Sequence, residues 1–455
     1  MNLTPYWAKL SDFLWPAGGY RDGQVILPAC LQSTAIDRLR APLAAKASAA
    51  DEPRELHLEV NVNQKNTDRA HCLMAGLIVH EWIEKRGGAE RVLDKMVEQF
   101  PDSDIACLWD DDPNRFLNNR VFESWMARTP LRRAKALALP LMSATWRSWR
   151  ATRDYEWVLA SSYVFAHHAR FATKLGNPKK FVYVHTPARY IWAPELDPRG
   201  NSKLARAVSP TLKAIDRIAA RDNSLLAANS EFVKERILLS WDRDARVIYP
   251  PVDVKIIQKV KNWGERLNSV EHDLLDSLPA IFLLGASRFV AYKGLDVVIA
   301  AGESVDLPVV IAGSGPLEDF LKGRALEAKI PVTIINSPSD NLLYALYQRA
   351  LAYVFPSIED FGIMPVEAMA AGCPVLVNAV GGTSETVIDG VCGFQLDRFD
   401  GFDLSSAVDR ISSLDRSAIV EAALRFDAAY FQEELADWMG QSSPVQVQGL
   451  HQEAK

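Results

Sequence analysis

The sequence lacks the features that would place the protein across a membrane, in an oxidising compartment or on nucleic acid. No apolar run in its 455 residues approaches the ~18 residues that a membrane span needs. The N-terminus has no basic segment followed by an apolar one. The five cysteines are scattered, without a C-x-x-C pair, and the formal net charge is -6. These absences predict a cytoplasmic protein with reduced cysteines that binds no nucleic acid.

The glycine fingerprint of dinucleotide-binding dehydrogenases, G-x-G-x-x-G after a first strand, is also missing. What the chain does contain is two series of short apolar runs that alternate with helical or loop segments. The first series opens at Met74 and the second at Ile281, with the Pro250–Pro251 turn between them. Such alternation predicts an α/β protein with two parallel-sheet domains.

The most informative segment is FPSIEDFGIMPVE, residues 355–367, where Glu359 and Glu367 flank a glycine-containing loop that leads into a helix. Unpaired N–H groups at a helix start favour phosphate, and carboxylates can bind sugar hydroxyls. This segment therefore indicates a site for a sugar nucleotide.

Other candidate groups follow other predicted strands. Gly87 and Gly88 allow a close backbone approach to an anion, although a glycine pair alone is more often a turn. Arg288 and Lys293 are spaced to straddle a diphosphate or to form a solvated basic loop. Gly313 belongs to a turn of small residues suited to packing beneath a nucleoside. Since the carboxyl ends of parallel strands share one edge, these groups together predict a crevice site.

The motifs as a set resemble retaining glycosyltransferases of family 4, which have the GT-B fold of two Rossmann-like parallel-sheet domains facing each other across a cleft. The resemblance runs from about Met74 to Asp437 and rests on KRGGAER, ANSEFVKERI, VIYPPVD, SRFVAYKG, AGSGP, EDFGIMPVEAMAAGCPV and GGTSE. It implies an acceptor-side domain, a donor-binding domain and a helix that crosses back onto the first domain. The expected boundaries, including an N-terminal extension of uncertain order and a disordered tail, are 1–73, 74–250, 251–420, 421–440 and 441–455.

The resemblance also implies roles for individual residues. Arg288 and Lys293 would bind the donor diphosphate, Glu367 the ribose hydroxyls and Glu359 the transferred sugar. Backbone N–H groups of the loop Phe361–Gly362–Ile363 would face the donor, and Gly88, beside Gly87, would face its phosphate from the first domain. His185, in an HTP turn, would lie beside the donor sugar as an active-site group.

Within the family, WVLASSYVFAHHAR followed by FVYVHTPARYIW resembles bacterial mannosyltransferases that build O-antigen and exopolysaccharide. This implies GDP-mannose as donor, a polyprenyl-linked glycan as acceptor and transfer with retention, without a metal. A UDP-sugar donor stays open, as does a catalytically inactive protein that binds sugar nucleotides.

Several residues have competing interpretations. Glu385 either serves as a helix-start carboxylate or touches the ligand, and Ser384 stands before it where the family usually has proline. His167 and His168 are interpreted as surface or packing residues of a helical stretch. The triplet Asp110–Asp112 resembles a D-x-D metal site but is interpreted as a solvated loop.

Residues 124–153 contain seven basic residues and no acidic one, interleaved with leucines and tryptophans. Pro140 is expected to break the helix there. A basic and apolar surface of this kind favours docking on anionic lipid, so the protein is predicted to be peripheral on the inner face of the cell membrane.

Overall fold

The computed structural model describes residues 76–151, 153–171, 176–194 and 203–440. The predicted N-terminal extension and tail lie outside these residues. The described chain forms two parallel β-sheets, one after the other in sequence. This confirms the predicted α/β fold of two Rossmann-like sheets.

The first sheet has seven strands among the described residues. They are β1 (Gly76–His80), β2 (Asp104–Cys107), β3 (Val121–Glu123), β4 (Trp157–Ser162), β5 (Lys179–Val184), β6 (Leu225–Ala228) and β7 (Arg246–Val247). Their order across the sheet is β3-β2-β1-β4-β5-β6-β7, and every pair is parallel. Every residue of β1 and of β4 is buried, because helices cover both faces of a parallel sheet.

The second sheet has six strands. They are β8 (Leu283–Arg288), β9 (Val309–Ser314), β10 (Val332–Asn336), β11 (Ala352–Phe355), β12 (Val375–Asn378) and β13 (Gly393–Leu396). Their order is β10-β9-β8-β11-β12-β13, again all parallel. The order reverses direction between β8 and β11, as it does between β1 and β4, and open α/β sheets bind ligands outside the strand ends at such a point.

Helices connect the strands in both halves. In the first half these are α1 (Gly88–Gln99), α2 (Lys135–Ser148), α3 (Arg189–Trp192), α4 (Lys203–Ala220) and α5 (Glu231–Trp241). In the second half they are α6 (Val254–Lys259), α7 (Ser269–Ser277), α8 (Leu295–Val305), α9 (Glu318–Glu327), α10 (Asp340–Arg349), α11 (Ile363–Ala370), α12 (Gly382–Thr386), α13 (Gly401–Ile411), α14 (Arg416–Ala423) and α15 (Ala428–Met439).

The expectation that Pro140 breaks its helix is wrong. Helix α2 continues through Pro140, and the proline ring lies on the exposed side of the helix. Proline removes one backbone donor and its ring crowds the carbonyl four residues earlier, which can kink a helix without ending it. The buried residues Met142 and Trp146 hold α2 against the first sheet.

The chain crosses between the two halves twice, near Val252 and again near Phe426, and the two crossings are hydrogen-bonded to each other. The N–H of Val252 donates to the carbonyl of Phe426 (3.0 Å), and the N–H of Ala428 donates to the carbonyl of Val252 (2.9 Å). Helix α15 starts at this crossing and buries Phe431 and Leu435 in the core of the first sheet. The two crossings lie side by side, so the carboxyl ends of the two sheets can face each other.

Candidate active site between the two sheets

The glycine loop after β1 lies against the second half. A Cβ atom on Gly88 would come 3.4 Å from Cδ1 of Ile363, the first residue of α11. A Cβ atom on Gly87 would lie 1.9 Å from Oε2 of Glu90, so a larger residue would displace that buried carboxylate. The start of α1 therefore lies in van der Waals range of the helix that follows the FPSIEDFG segment, and Gly87 leaves room for the Glu90 carboxylate.

Glu367 lies within α11 and is buried, with 3% of its surface exposed. Arg91 of α1 reaches across and donates to its Oε1. Burial raises the pKa of Glu367, and Arg91 offsets part of this effect. The carboxylate predicted to hold ribose hydroxyls therefore pairs with an arginine of the other half.

Glu359 follows β11 and contacts cations from both halves. Lys293 donates to its Oε1 at 2.6 Å, Ser357 donates to the same oxygen at 3.0 Å, and Arg189 lies 3.6 Å from Oε2. Burial opposes ionisation of Glu359, but Lys293 and then Arg189 outweigh it and lower its pKa. Glu359 is therefore a half-buried, ionised carboxylate at the meeting of the two sheets.

Asp360, the next residue, binds two arginines of the first half. Arg189 Nε donates to its Oδ2 at 2.9 Å, and Arg236 Nη1 donates to its Oδ1 at 2.6 Å. Arg236 Nη1 also lies 2.7 Å from Oγ1 of Thr186, in the HTP turn. We call these three side chains, Asp360, Arg189 and Arg236, the interdomain cluster.

His185 belongs to a line of polar side chains at the ends of three neighbouring strands. Its Nε2 lies 2.8 Å from Oγ of Ser161, which lies 3.0 Å from Nδ1 of His80. Nε2 of His80 lies 4.0 Å from Oε1 of Glu90, next to the glycine loop. Burial, with a further contribution from His80, lowers the pKa of His185 to about 3, so its imidazole is neutral at pH 7.

The remaining predicted donor residues lie at the carboxyl ends of the second sheet. Arg288 ends β8, is exposed, and donates to the hydroxyl of Tyr292 at 2.7 Å. Gly313, at φ +146°, lies so close to β8 that a Cβ atom would come 1.8 Å from the carbonyl oxygen of Ser287. Phe361 packs its ring in the core, and Gly362, at φ +102°, precedes the first turn of α11.

Glu385 lies at the interface of the halves. It accepts the N–H groups of Glu231 and Phe232, both at 2.8 Å, and so caps the start of α5. Helix α12 forms with Ser384 in place of proline, and the Ser384 hydroxyl donates to the Gly381 carbonyl at 2.8 Å.

A second buried carboxylate, Asp216 of α4, lies inside the first half. Its Oδ1 is 2.9 Å from Nε2 of His168 and 3.0 Å from Nε2 of His167, and its Oδ2 accepts the indole N–H groups of Trp192 and Trp241 at 2.6 and 2.7 Å. We call these five residues the internal cluster. A surface position for the two histidines is thus wrong, since both are buried at 2% exposure or less; packing is what the structure shows.

The three candidate ligands of the internal cluster lie close enough to hold a metal ion. However, Nδ1 of His167 and of His168 each lies within 2.9 Å of a serine hydroxyl, and both oxygens of Asp216 are within hydrogen-bond distance of nitrogen atoms. Hydrogen bonding therefore accounts for His168 and Asp216, whereas the buried Nε2 of His167 has no hydrogen-bond partner among the described residues.

The acidic loop after β2 is tied to arginines. Asp111 pairs with Arg132, and Asp112 lies 3.5 Å from Arg115. Oδ1 of Asp110 accepts the N–H of Asp112 at 2.7 Å.

The structure thus brings Gly88, Ile363, Glu367, Lys293 and Glu359 to the meeting of the two halves. The sequence interpretation missed Arg91, Arg189, Arg236 and Asp360. All four stand in segments that carry the family resemblance. These are Arg91 in KRGGAER, Arg189 in FVYVHTPARYIW, Arg236 in ANSEFVKERI and Asp360 in EDFGIMPVEAMAAGCPV.

Two family models match the chain, one in each half. "Glycosyltransferase Family 4" matches residues 86–256, and "Glycosyl transferases group 1" matches residues 276–426. Both halves of the chain therefore match glycosyltransferase families, and the two parallel sheets have the GT-B arrangement.

Solved structures have the same fold. Anabaena HepE in complex with UDP aligns with a TM-score of 0.61 at 19% identity, covering 81% of this chain and 100% of that chain. WaaG, a glycosyltransferase involved in lipopolysaccharide biosynthesis, aligns with a TM-score of 0.55 at 16% identity, covering 81% of this chain and 100% of that chain.

Among curated relatives, D-rhamnosyltransferase WbpZ of Pseudomonas aeruginosa is 32% identical over 197 residues, or 41% of this chain and 47% of WbpZ. O-antigen chain mannosyltransferase C of Escherichia coli is 29% identical over 189 residues, or 39% of this chain and 48% of that protein. The chain spans about half the length of the curated relatives it matches. None of the described helices combines the length and apolarity that a membrane crossing needs.

Proposed function

We propose that the protein is a retaining glycosyltransferase that moves mannose from GDP-mannose to a polyprenyl-linked glycan in the synthesis of a bacterial surface polysaccharide. The observation that carries the proposal is the meeting of Lys293, Glu359 and Arg189 between the carboxyl ends of the two sheets. A cation and an ionised carboxylate placed together suit the diphosphate and the sugar of one donor. The glycine loop and the start of α11 add backbone N–H groups to the same region.

In the proposed binding mode, Arg288 and Lys293 hold the diphosphate, and Glu359 binds hydroxyls of the transferred sugar. Glu367 binds the ribose, whose hydroxyls take the place of Arg91. Backbone groups of Gly87, Gly88, Gly313 and the loop Phe361–Gly362–Ile363 line the donor.

Transfer proceeds on one face of the sugar. The bond between the anomeric carbon and the diphosphate oxygen breaks, and its electron pair goes to the diphosphate. The acceptor oxygen bonds to the anomeric carbon on that face, and its proton passes to the departing diphosphate oxygen. Preorganised cations that stabilise the growing negative charge can contribute several kcal/mol, so the proposed step uses the protein's own cations and calls on no metal ion.

His185 suits a place beside the donor sugar because it is neutral. A protonated imidazole would repel the positive charge that develops at the anomeric carbon. Burial keeps the ring uncharged, with a pKa of about 3, and Ser161 fixes its orientation through Nε2.

Mannose as the transferred sugar is supported by the resemblance to O-antigen chain mannosyltransferase C and by the segments around β4 and β5. A UDP-sugar is the second candidate, because HepE has been solved with UDP and with UDP-glucose.

A donor screen by thermal shift separates these candidates. We expect GDP-mannose to raise the unfolding midpoint, while UDP-glucose and ADP-glucose do not. A shift with UDP-glucose alone would replace the mannose proposal by the second candidate. A shift with GDP-mannose but neither transfer to membrane extracts nor slow donor hydrolysis would indicate an inactive binding protein.

Stereochemistry tests the reaction type. The one-bond coupling between the anomeric carbon and its proton, measured by NMR in the product, should show that the α configuration of GDP-mannose is retained. An inverted product would exclude attack on the leaving-group face.

We further propose that residues 124–153 dock the protein on the inner face of the membrane, where a lipid-linked acceptor would lie. Trp125, Leu137 and Leu141 expose 53%, 69% and 41% of their surface, although Met142 and Trp146 are buried. Arg128, Arg133, Arg147 and Arg150 remain exposed beside them. Apolar side chains among cations favour an anionic lipid surface.

Flotation with liposomes tests the docking. We expect co-migration with phosphatidylglycerol vesicles at low salt, and loss of co-migration when Leu137 and Leu141 are both changed to Ser. Co-migration that is equal for phosphatidylcholine vesicles, or absent for both, would contradict an electrostatic docking surface.

A further inference from the structure

We propose that Asp360 is a positioning residue for the transfer reaction: held by Arg189 and Arg236 from the first half, it fixes Glu359 and the HTP turn relative to each other. The inference rests on the proposed function, because it concerns how two groups of that site are aligned. It assigns to Asp360 no contact with the donor.

The first step is the position of Asp360. Its neighbour Glu359 accepts a hydrogen bond from Lys293 of the second half. Asp360 instead accepts hydrogen bonds from Arg189 and Arg236 of the first half. Asp360 is 9% exposed, so its charge needs partners. Each of its two oxygens accepts from a different arginine, and this fixes the orientation of the carboxylate plane.

The second step is that both arginines have a further contact at the site. Arg189 lies 3.6 Å from Oε2 of Glu359. Arg236 lies 2.7 Å from Oγ1 of Thr186 and 3.4 Å from the carbonyl of Pro187, the two residues after His185. Asp360 therefore connects Glu359, through Arg189, with the turn that carries His185, through Arg236.

The third step is charge. Two guanidinium groups bound to one carboxylate would repel each other without it. If Asp360 lost its charge, Arg189 would be free to move towards Glu359 or away from it. Glu359 would remain ionised through Lys293, but its direction towards the donor sugar would no longer be fixed.

Asp360 could have a simpler role, in which it only stabilises the contact between the two halves, and that role predicts a different result. Glu385 is a matched control, because it also joins the halves: it accepts the two N–H groups at the start of α5 and the hydroxyl of Tyr249. It has no contact with Glu359 or with the HTP turn among those that the structure gives for it. If Asp360 only stabilised the contact between the halves, Asp360→Asn should affect stability and kcat in the same way as Glu385→Gln.

The experiment compares Asp360→Asn with Glu385→Gln in the full chain. Three quantities are measured: the dissociation constant for GDP, the kcat and KM for nucleotide release from GDP-mannose and from UDP-glucose, and the unfolding midpoint. We expect Asp360→Asn to lower kcat about 30-fold or more, while KM and GDP affinity change less than threefold. Glu385→Gln should lower the midpoint at least as much but leave kcat within threefold.

The inference is overturned if the two variants lose kcat in proportion to their loss of stability, or if Asp360→Asn keeps wild-type kcat. Should Asp360→Asn not fold, Arg189→Lys serves instead, since it keeps the charge but removes the fork that spans Glu359 and Asp360. For Arg189→Lys we also expect a lower kcat with little change in KM. Failure of the proposed function looks different, because the wild-type chain would then release no nucleotide from either donor.

Discussion

The internal cluster and the interdomain cluster are both built on one buried aspartate, yet they differ in what surrounds it. Asp216 is held by histidines and indole groups of its own half. Asp360 is held by arginines of the other half. Helix α3 connects the two, because Arg189 at its start binds Asp360 and Trp192 at its end binds Asp216. Asp216 pairs only with groups of its own half, whereas Asp360 pairs across the two halves and can therefore also control the geometry of the site between them.

The largest expected effect on stability is that of Asp216→Asn. Removing one partner of a buried charged network costs about 3–5 kcal/mol, because the remaining polar groups stay buried. Urea unfolding followed by tryptophan fluorescence reports this half, since Trp146, Trp192 and Trp241 all belong to it. Asp360→Asn should lower the same midpoint clearly less, and an equal loss would remove the distinction between the clusters.

The second-largest effect on stability is expected from acid, which should destabilise the protein through the internal cluster. Burial, followed by the nearby His167, lowers the pKa of His168 to about 4, whereas an unfolded histidine titrates near pH ~6.5. The unfolded chain therefore binds more protons between these values, and stability falls as the pH falls, by roughly 3 kcal/mol in total. The neutral His185, with a pKa of about 3, acts in the same direction. Asp216 adds nothing in this window, because its carboxylate ionises at lower pH in both states.

Urea midpoints at pH 7, 6, 5 and 4.5 measure this dependence. The variant His168→Gln should flatten the curve, while His272→Gln, at an exposed position, should leave its slope unchanged. An equal slope in all three proteins would exclude the buried histidine as the source.

The coupling of the clusters through α3 can be tested with Trp192→Phe. This change removes one indole donor from Asp216 and should cost about 2 kcal/mol, the usual range for a hydrogen bond to a charged group. Trp125→Phe is the control, because its indole donates at the surface, to Thr145 at 3.2 Å. We expect nucleotide release to stay within threefold of wild type. A loss as large as that of Asp360→Asn would mean that the internal cluster also sets the geometry of the site.

The fold and the candidate residues of the second half could be predicted from the sequence, because both depend on local patterns. Short apolar runs bounded by turns gave the strands, and Lys293, Glu359 and Glu367 stand in recognisable segments after them. The members of the interdomain cluster also stand in such segments, but their pairing has no local pattern, because Asp360 is 171 positions from Arg189 and 124 from Arg236. The burial of His168 likewise depends on Asp216, 48 positions away. Pairings over such distances arise from how the two sheets meet, which no single segment encodes.

The smallest effect is expected at a third aspartate–arginine pair, Asp111 with Arg132 in the acidic loop. Their side chains are 39% and 35% exposed, and pairs of this kind contribute about 0–1 kcal/mol because water already solvates both charges. Asp111→Asn should therefore change neither the urea midpoint nor nucleotide release from GDP-mannose. A clear loss of release that added Mg²⁺ or Mn²⁺ reverses would instead assign a metal to Asp110–Asp112. An unchanged protein would show that this exposed pair contributes little, in contrast to the pairs that Asp360 forms where the two halves meet.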